Sequence, residues 1–233
     1  MEQGASRENV LTGCPGDALP PPAFLAGLIA GEGLSVPMPA VEKLLDHARE
    51  MLRWNRSIRL TAITEPVEVA VKHILDSLLL LRFSPFPGRI LDFGSGGGYP
   101  GIPLAVVLPG SRLLLLESSG KKCAFLSHTL RKLSLANAEV VQARLETKCR
   151  LPIGRFEHIV TRATLPAGEA VSVLLPYLAK SGRILLMRGP GKGKDKPCGE
   201  EGISLQKEGR ERAVRFELPL RMGSREIREI RTP

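Results

Sequence analysis

The 233-residue sequence predicts a doubly wound α/β fold: a mostly parallel sheet with helices on both faces, preceded by an N-terminal helical extension. Three observations predict it. From Arg89 onward, short apolar runs alternate with stretches of helical periodicity, the pattern of parallel strands joined by helical crossovers. The first of these runs passes straight into a glycine-rich turn and then a helix. A hydrophobic content of 43% at this length suffices for one sizeable core.

Residues 1–21 are rich in Gly, Pro and polar side chains and read as a flexible tail. Residues 22–84 read as the helical extension. Ala23–Ala30 is a short apolar helix. In Ala40–Trp54, Val41, Leu44, Leu45, Ala48, Met51 and Leu52 recur at helical spacing, with Pro39 near the start. In Val67–Leu81, Val67, Val71, Ile74, Leu78 and Leu81 make one stripe, and Pro66 suits a first turn, where a missing N–H costs nothing.

Residues 85–233 read as the sheet domain. Strands are expected at Arg89–Phe93, Arg112–Leu116, Glu139–Gln142, His158–Thr161 and Arg183–Met187, and helices at Ile102–Leu108, Lys121–Leu133 and Ala167–Leu178. Ala213–Leu218 and Glu226–Arg231 are expected to close the sheet as an antiparallel hairpin. Gly189–Gly202 holds too many Gly and Lys residues for a core and reads as a loop. Its Lys192, Lys194 and Lys196 are either a solvated run or a track for phosphates.

Composition narrows the function classes. Cys14, Cys123, Cys149 and Cys198 include no C-x-x-C pair, which argues against a zinc ribbon or a redox motif and for reduced thiols in a cytoplasmic protein. Glu2 and the lack of a basic region before Ala23–Ala30 do not fit a signal peptide, and no apolar stretch is long enough to span a membrane. The net charge of +9 favours a polyanionic partner, because neutralising phosphates releases counterions. Aromatic content of 4% offers little to line an organic pocket.

The chemistry lies in Ile90-Leu91-Asp92-Phe93-Gly94-Ser95-Gly96-Gly97-Gly98-Tyr99-Pro100-Gly101. Glycines let the backbone bend sharply and approach a ligand, and the helix start adds unpaired N–H groups. Glu117 ends the second strand, where a carboxylate can accept both hydroxyls of a ribose. A dinucleotide fingerprint, G-x-G-x-x-G, would need Gly at position 99, which is Tyr99. The observed G-x-G-x-G after an acidic residue suits S-adenosylmethionine, which has no pyrophosphate to cradle. Asp92 is then the candidate to receive the ligand's ammonium, directly or through water. Gly94, Gly96 and Gly98 are the candidate backbone contacts.

Several ordered motifs resemble those of the RsmG (GidB) family, bacterial guanine-N7 methyltransferases of 16S ribosomal RNA. Trp54-Asn55 followed by Leu60-Thr61-Ala62-Ile63-Thr64 is similar to the family's WN…LTAIT, and Lys72–Ser77 to its KHFLDS. Gly94–Leu104 resembles GTGAGFPGIPL. Ser118, Gly120 and Lys121 resemble DSxGKR, and Arg144 with Glu146 resembles GRAE. Thr161-Arg162-Ala163 and Gly189-Pro190 match later landmarks. The resemblance implies a Rossmann-like methyltransferase domain using S-adenosylmethionine and a target guanine in the 530 loop of the small subunit. It implies cofactor contacts at Gly94, Tyr99, Leu145, Glu146 and Arg162. The sequence departs at Glu117, where Asp is usual, at Arg188 for Lys, and at Ser95 and Gly97 for Thr and Ala. Neither the longer carboxylate nor the retained charge removes a cofactor contact.

Guanine N7 carries an in-plane lone pair and no proton, so no nucleophile and no base is expected among the side chains; placement suffices. Pro197-Cys198 could suggest a cytosine-C5 nucleophile but lies in the polar loop, and Thr161–Thr164 lacks the Pro-Pro turn of amino-methylating enzymes. The expected partner is 16S ribosomal RNA or a small-subunit particle, with no metal and no membrane. Two alternatives are a small-molecule methyltransferase and a non-catalytic ribosome-associated RNA-binding protein, which would not need the glycine turn with Glu117.

The remaining candidates are assigned by pattern. His47 and His128 read as helix surface or boundary residues, His158 as structural and Trp54 as core. His73 suits either a hydrogen bond to a neighbouring loop or an RNA contact; Asp76 and Ser77 follow it. Tyr99 either stacks on a base or covers the cofactor. Arg162 at the carboxyl edge of the sheet is expected to face the cofactor, the structural alternative being a salt bridge to Glu146 or Asp92.

Overall fold

Strand β1 (Arg89–Phe93) organises the molecule because it has a parallel partner on each side. It pairs with β2 (Arg112–Glu117) in the register Ile90–Leu113 and with β4 (Phe156–Arg162) in the register Ile90–His158. The computed structural model describes residues 18–145, 150–162, 166–189 and 211–231. Within them a seven-stranded sheet runs β3-β2-β1-β4-β5-β7-β6, with β3 at Ala138–Gln142, β5 at Leu178–Arg188, β6 at Glu211–Glu217 and β7 at Ser224–Arg231. β1 to β5 are mutually parallel; β7 enters antiparallel to β5 and pairs with β6 as the expected closing hairpin.

Side chains alternate across the sheet, and both faces of its central strands are dry, as continuous apolar strands require. Ile90, Leu113, Leu115, Val160, Leu185 and Met187 face one layer; Leu91, Leu114, Leu116, Ile159, Ile184 and Leu186 face the other. The first layer holds α1 (Pro22–Gly31), α2 (Met38–Asn55), α5 (Gly101–Val107) and α6 (Gly120–Lys132). The second is covered by α7 (Ala167–Leu174). The N-terminal helices thus share one continuous core with the sheet. Burying each Leu or Met of the α2 stripe contributes ~1.5–3 kcal/mol. Among the described residues no helix is long and apolar enough to cross a membrane, and no cluster of metal-ligating side chains forms.

The helix expected over Val67–Leu81 is present but not uniform. α3 (Pro66–Val69) opens it, with Glu65 capping the Val67 and Glu68 amides. A π-helical segment, Ala70–Leu75, follows, then α4 (Asp76–Leu78) and a 3₁₀ segment, Leu79–Phe83. A π turn adds a residue to the winding and is frequent at functional positions. The helix expected over Ala167–Leu178 stops at Leu174 and gives way to a 3₁₀ turn, Leu175–Tyr177, because Pro176 has no N–H to donate to the Ser172 carbonyl. The last strand of the parallel set therefore begins earlier than expected, at Leu178, which pairs with Phe156 beyond a register shift.

His47 is a correction. It is fully buried rather than at a helix surface or boundary. Position 47 lies three after Leu44 and four before Met51, so it sits on the apolar stripe itself. His128 is half-exposed and joins Arg53 and Lys132 around Glu50, tying α2 to α6. Trp54 packs against Phe125 and His128, as expected of a core residue. His158 is structural: its Nε2 donates to the Pro87 carbonyl at 3.1 Å and its Nδ1 accepts from Arg183 at 3.0 Å. Lys192, Lys194, Lys196, Cys14, Cys149, Cys198 and most of the loop at 189–202 lie outside the described residues.

Candidate cofactor and substrate site

The glycine turn leaves β1 at the point where strand order reverses, since β1 lies between β2 and β4. In open α/β sheets the crevice at that point is where ligands bind. The turn is stitched to the end of β2: the Gly94 and Ser95 amides donate to the Leu116 carbonyl at 2.9 and 3.1 Å. Gly94, Gly96 and Gly98 all have positive φ (76°, 52° and 85°), which an L side chain rarely adopts. At Gly96 a Cβ would find no atom of the described residues nearer than the Gly94 carbonyl oxygen at 3.8 Å, so among those residues that side of the turn is open. At Gly98 it would collide with Ile102 Cδ1 at 2.6 Å and His47 Nε2 at 2.8 Å.

Glu117 ends β2 and is buried. One carboxylate oxygen accepts from the Gly96 amide at 3.0 Å and the other from the Ser119 amide at 2.9 Å. The carboxylate thereby joins the turn to the start of α6. Each oxygen keeps accepting capacity beyond the single amide it holds. Asp92 is sealed from solvent; its Oδ2 accepts from the Gly101 amide at 3.1 Å, and its Oδ1 is buried without a hydrogen-bond partner among the described residues. Burial pushes the Asp92 carboxyl up to about 7 against the pull of those hydrogen bonds.

Tyr99 is almost fully buried, with its ring between two imidazoles. His47 lies at 4.3 Å with 31° between planes, His73 at 4.7 Å with 18°. Its hydroxyl is unpartnered among the described residues, and burial raises its pKa further. The His47 Nε2–H donates to the Gly97 carbonyl at 2.9 Å, so α2 holds the turn directly. His73 bonds Thr61 Oγ1 at 2.8 Å, one of the two roles open to it in sequence. Asn55 pins that loop by accepting from the Leu60 and Thr61 amides and donating to the Thr61 carbonyl.

Arg162 ends β4 and reaches back to the helical extension. It donates to the Lys72 carbonyl at 3.0 Å, Asp76 Oδ2 at 3.3 Å and His73 Nδ1 at 3.0 Å, and its guanidinium stands 5.8 Å from the Tyr99 ring centre. The salt bridge exists, but its partner is Asp76 and not Glu146 or Asp92, because the π segment carries Asp76 to the end of β4. Leu145 is buried in the second layer; Glu146 lies outside the described residues. The structure therefore brings Gly94, Gly96, Gly98, Tyr99, Glu117 and Arg162 to one sheet edge, with Asp92 beneath. Thr61, Asp76 and Arg225 join that region without having been assigned to it by spacing.

A parallel sheet in this order, with an antiparallel seventh strand and a glycine turn against a carboxylate at the end of β2, is the architecture of S-adenosylmethionine-dependent methyltransferases. The fold is shared with such an enzyme from Aquifex aeolicus (TM-score 0.53, 15% identity, covering 79% of this chain and 98% of that one). It is shared too with precorrin-6y C5,15-methyltransferase from Geobacter metallireducens (TM-score 0.52, 16% identity, covering 76% and 92%). The chain belongs to the family described as rRNA small subunit methyltransferase G, whose model matches residues 40–221. Relatives named ribosomal RNA small subunit methyltransferase G include those of Geobacter sp. (strain M21), 38% identical over 157 residues, 67% of this chain and 72% of that protein. Another, from Geotalea uraniireducens, is 36% identical over 170 residues, 73% and 77% of the two.

Proposed function

We propose that the protein transfers the methyl group of S-adenosylmethionine to N7 of a guanine in 16S ribosomal RNA, free or in a small-subunit particle, in the cytoplasm. The observation that carries this is the open side of Gly96 beside the Glu117 carboxylate, at the strand-order reversal. Gly94, Gly96 and Gly98 let backbone approach the ligand, and Glu117 accepts from the ribose hydroxyls. Tyr99 bounds the cleft, Leu145 and Glu146 follow the third strand, and Arg162 supplies positive charge. Asp92, with its Oδ1 unpartnered among the described residues, is the candidate to receive the ligand's ammonium, directly or through water. Bound there, the cofactor supplies an activated methyl on a sulfonium. The acceptor nitrogen has no proton to lose, so the side chains need only place it in line and exclude water, which can supply on the order of 7–11 kcal/mol.

Calorimetry with S-adenosylhomocysteine tests the reading. The parent is expected to bind, and Gly96→Ala to bind more than roughly tenfold more weakly while losing only the ~1–2 kcal/mol of stability that left-handed backbone costs an alanine, because its methyl group clashes with none of the described residues and occupies the ligand's side. Equal affinities would remove the turn from the site. Methyl transfer to ribosomal RNA, with the modified base mapped, then distinguishes this reading from a small-molecule methyltransferase and from a non-catalytic RNA binder.

Cations favour the polyanion. Arg53, Arg56 and Arg59 are exposed near the end of α2 and on the loop whose Leu60 leans on Gly97. Lys121 is exposed at the start of α6, just beyond Glu117. RNA affinity should fall steeply with salt, with a slope of about −0.7 per phosphate neutralised on single strands, while cofactor affinity hardly changes. Filter binding across a salt series checks this; a flat profile for RNA argues against an RNA substrate.

A further inference from the structure

The side chains around Arg162 form a network more elaborate than an ion pair needs. Its three acceptors lie on one stretch of helix: the Lys72 carbonyl, His73 Nδ1 and Asp76 Oδ2. A guanidinium only donates, so His73 Nδ1 must accept, and the ring proton sits on Nε2 and is given to Thr61 Oγ1. The π winding brings these groups together. It loosens the regular ladder, and the Lys72 carbonyl takes a donor from outside the helix.

Asp76 is fully buried and serves two guanidinium groups, with Arg225 Nε of β7 2.9 Å from the oxygen that Arg162 uses. One cation would be enough to pair that carboxylate. The Arg162 side chain also keeps 22% of its surface exposed while Asp76 keeps none. A guanidinium anchored on one side and open on the other, at the carboxyl end of a central strand, is arranged to meet a ligand.

We propose that Asp76 and His73 are positioning residues for methyl transfer: they fix the Arg162 guanidinium at the edge of the sheet for the cofactor, and Arg225 fixes Asp76. The inference rests on the reading of this cleft as an S-adenosylmethionine site. Asp76→Asn keeps shape and one acceptor but loses the charge. His73→Phe keeps a ring on Tyr99 and loses the acceptor. Both act through Arg162, so their effects should not add to its loss.

The test measures S-adenosylhomocysteine affinity by calorimetry and KM for S-adenosylmethionine, each beside the melting temperature, in the full chain. Asp76→Asn is expected to weaken cofactor affinity ~10- to 100-fold, and RNA affinity much less. Asp76→Asn combined with Arg162→Ala should bind no worse than Arg162→Ala alone. Glu229→Gln, which strips Arg183 of its carboxylate at 3.2 Å near the other end of the strands, is the control: it should lower stability and leave cofactor affinity unchanged. If Asp76→Asn does not fold, His73→Phe carries the same comparison. Unchanged affinity in a folded variant, or effects additive with Arg162→Ala, overturns the inference and leaves the functional reading standing. Absence of binding by the parent overturns both.

Discussion

Lowering the pH from 6.5 to 4 is expected to cost the protein much of its stability. Three histidines are buried neutral. Burial holds His47 down to about 4, burial and then the Arg162 charge hold His73 down to about 3, and burial and then the Arg183 charge hold His158 down to about 4. Unfolded, each takes a proton near 6.5. Between those values unfolding binds protons, so stability falls as pH falls. Asp92 works the other way: folded it titrates near 7, unfolded near 3.8, so acid favours its folded form. Asp76 is shifted upward too, chiefly by burial, and opposes the histidines at the lower end of the range. Three groups against one or two leave a net loss of roughly 1.4 to 2.7 kcal/mol per pH unit. Against a typical total of about 5–15 kcal/mol, that is decisive within two or three units. Urea denaturation at a series of pH values should show the midpoint falling steadily below pH 6.5, and His158→Gln should make the fall shallower. A midpoint flat from neutrality to pH 4 would mean that these imidazoles are not held neutral by the fold.

Gly98→Ala is expected to destabilise the protein by about 2–5 kcal/mol. Two causes combine. Left-handed backbone at φ 85° costs an alanine ~1–2 kcal/mol, and overpacking adds ~1–3 kcal/mol. The overpacking is against Ile102 and the His47 nitrogen that holds the Gly97 carbonyl, so relief by moving His47 would break the link between α2 and the turn. A melting point lower by roughly 5–20 °C follows for a chain of this size. Gly96→Ala shares the backbone strain but has open space at its Cβ, so its melting point should fall by the strain alone, roughly 2–8 °C. Equal losses in the two variants would contradict the packing explanation and leave strain alone.

Much of this architecture was legible from periodicity. Strands β1, β2, β4 and β5 bury both faces and announce themselves as apolar runs, and β1 was placed to the residue. Boundaries drifted where a local rule competed with the pattern. Pro176 ended α7 early, and the register shift after Phe156 gave β5 extra residues that no alternation marks. The turn and Glu117 were legible because ligand-binding backbone needs glycines at fixed offsets from a strand. His47 was misread although its spacing placed it on the α2 stripe, because a histidine there looks like a flank residue until a carbonyl is found to bond it. Asp76 lay within a motif that drew attention to it, yet its two guanidinium partners come from residues 162 and 225, and no local spacing encodes so distant a pairing.

The π segment at Ala70–Leu75 has a consequence for how this helix tolerates change. In the π turn the Asp76 amide bonds the Val71 carbonyl and passes over that of Lys72, which is left for Arg162. Deleting one residue between His73 and Asp76 would restore the regular ladder and improve the helix as a helix. It would also return the Lys72 carbonyl to a helical amide and move His73 one place nearer Asp76. Lys72, His73 and Asp76 could then no longer converge on a single guanidinium. The helix is therefore more permissive of altered composition than of altered length. Its less stable winding is the one that leaves a helical carbonyl free for the end of β4, so gaps between homologous sequences should be rare within Ala70–Leu75 and commoner in the connections on either side.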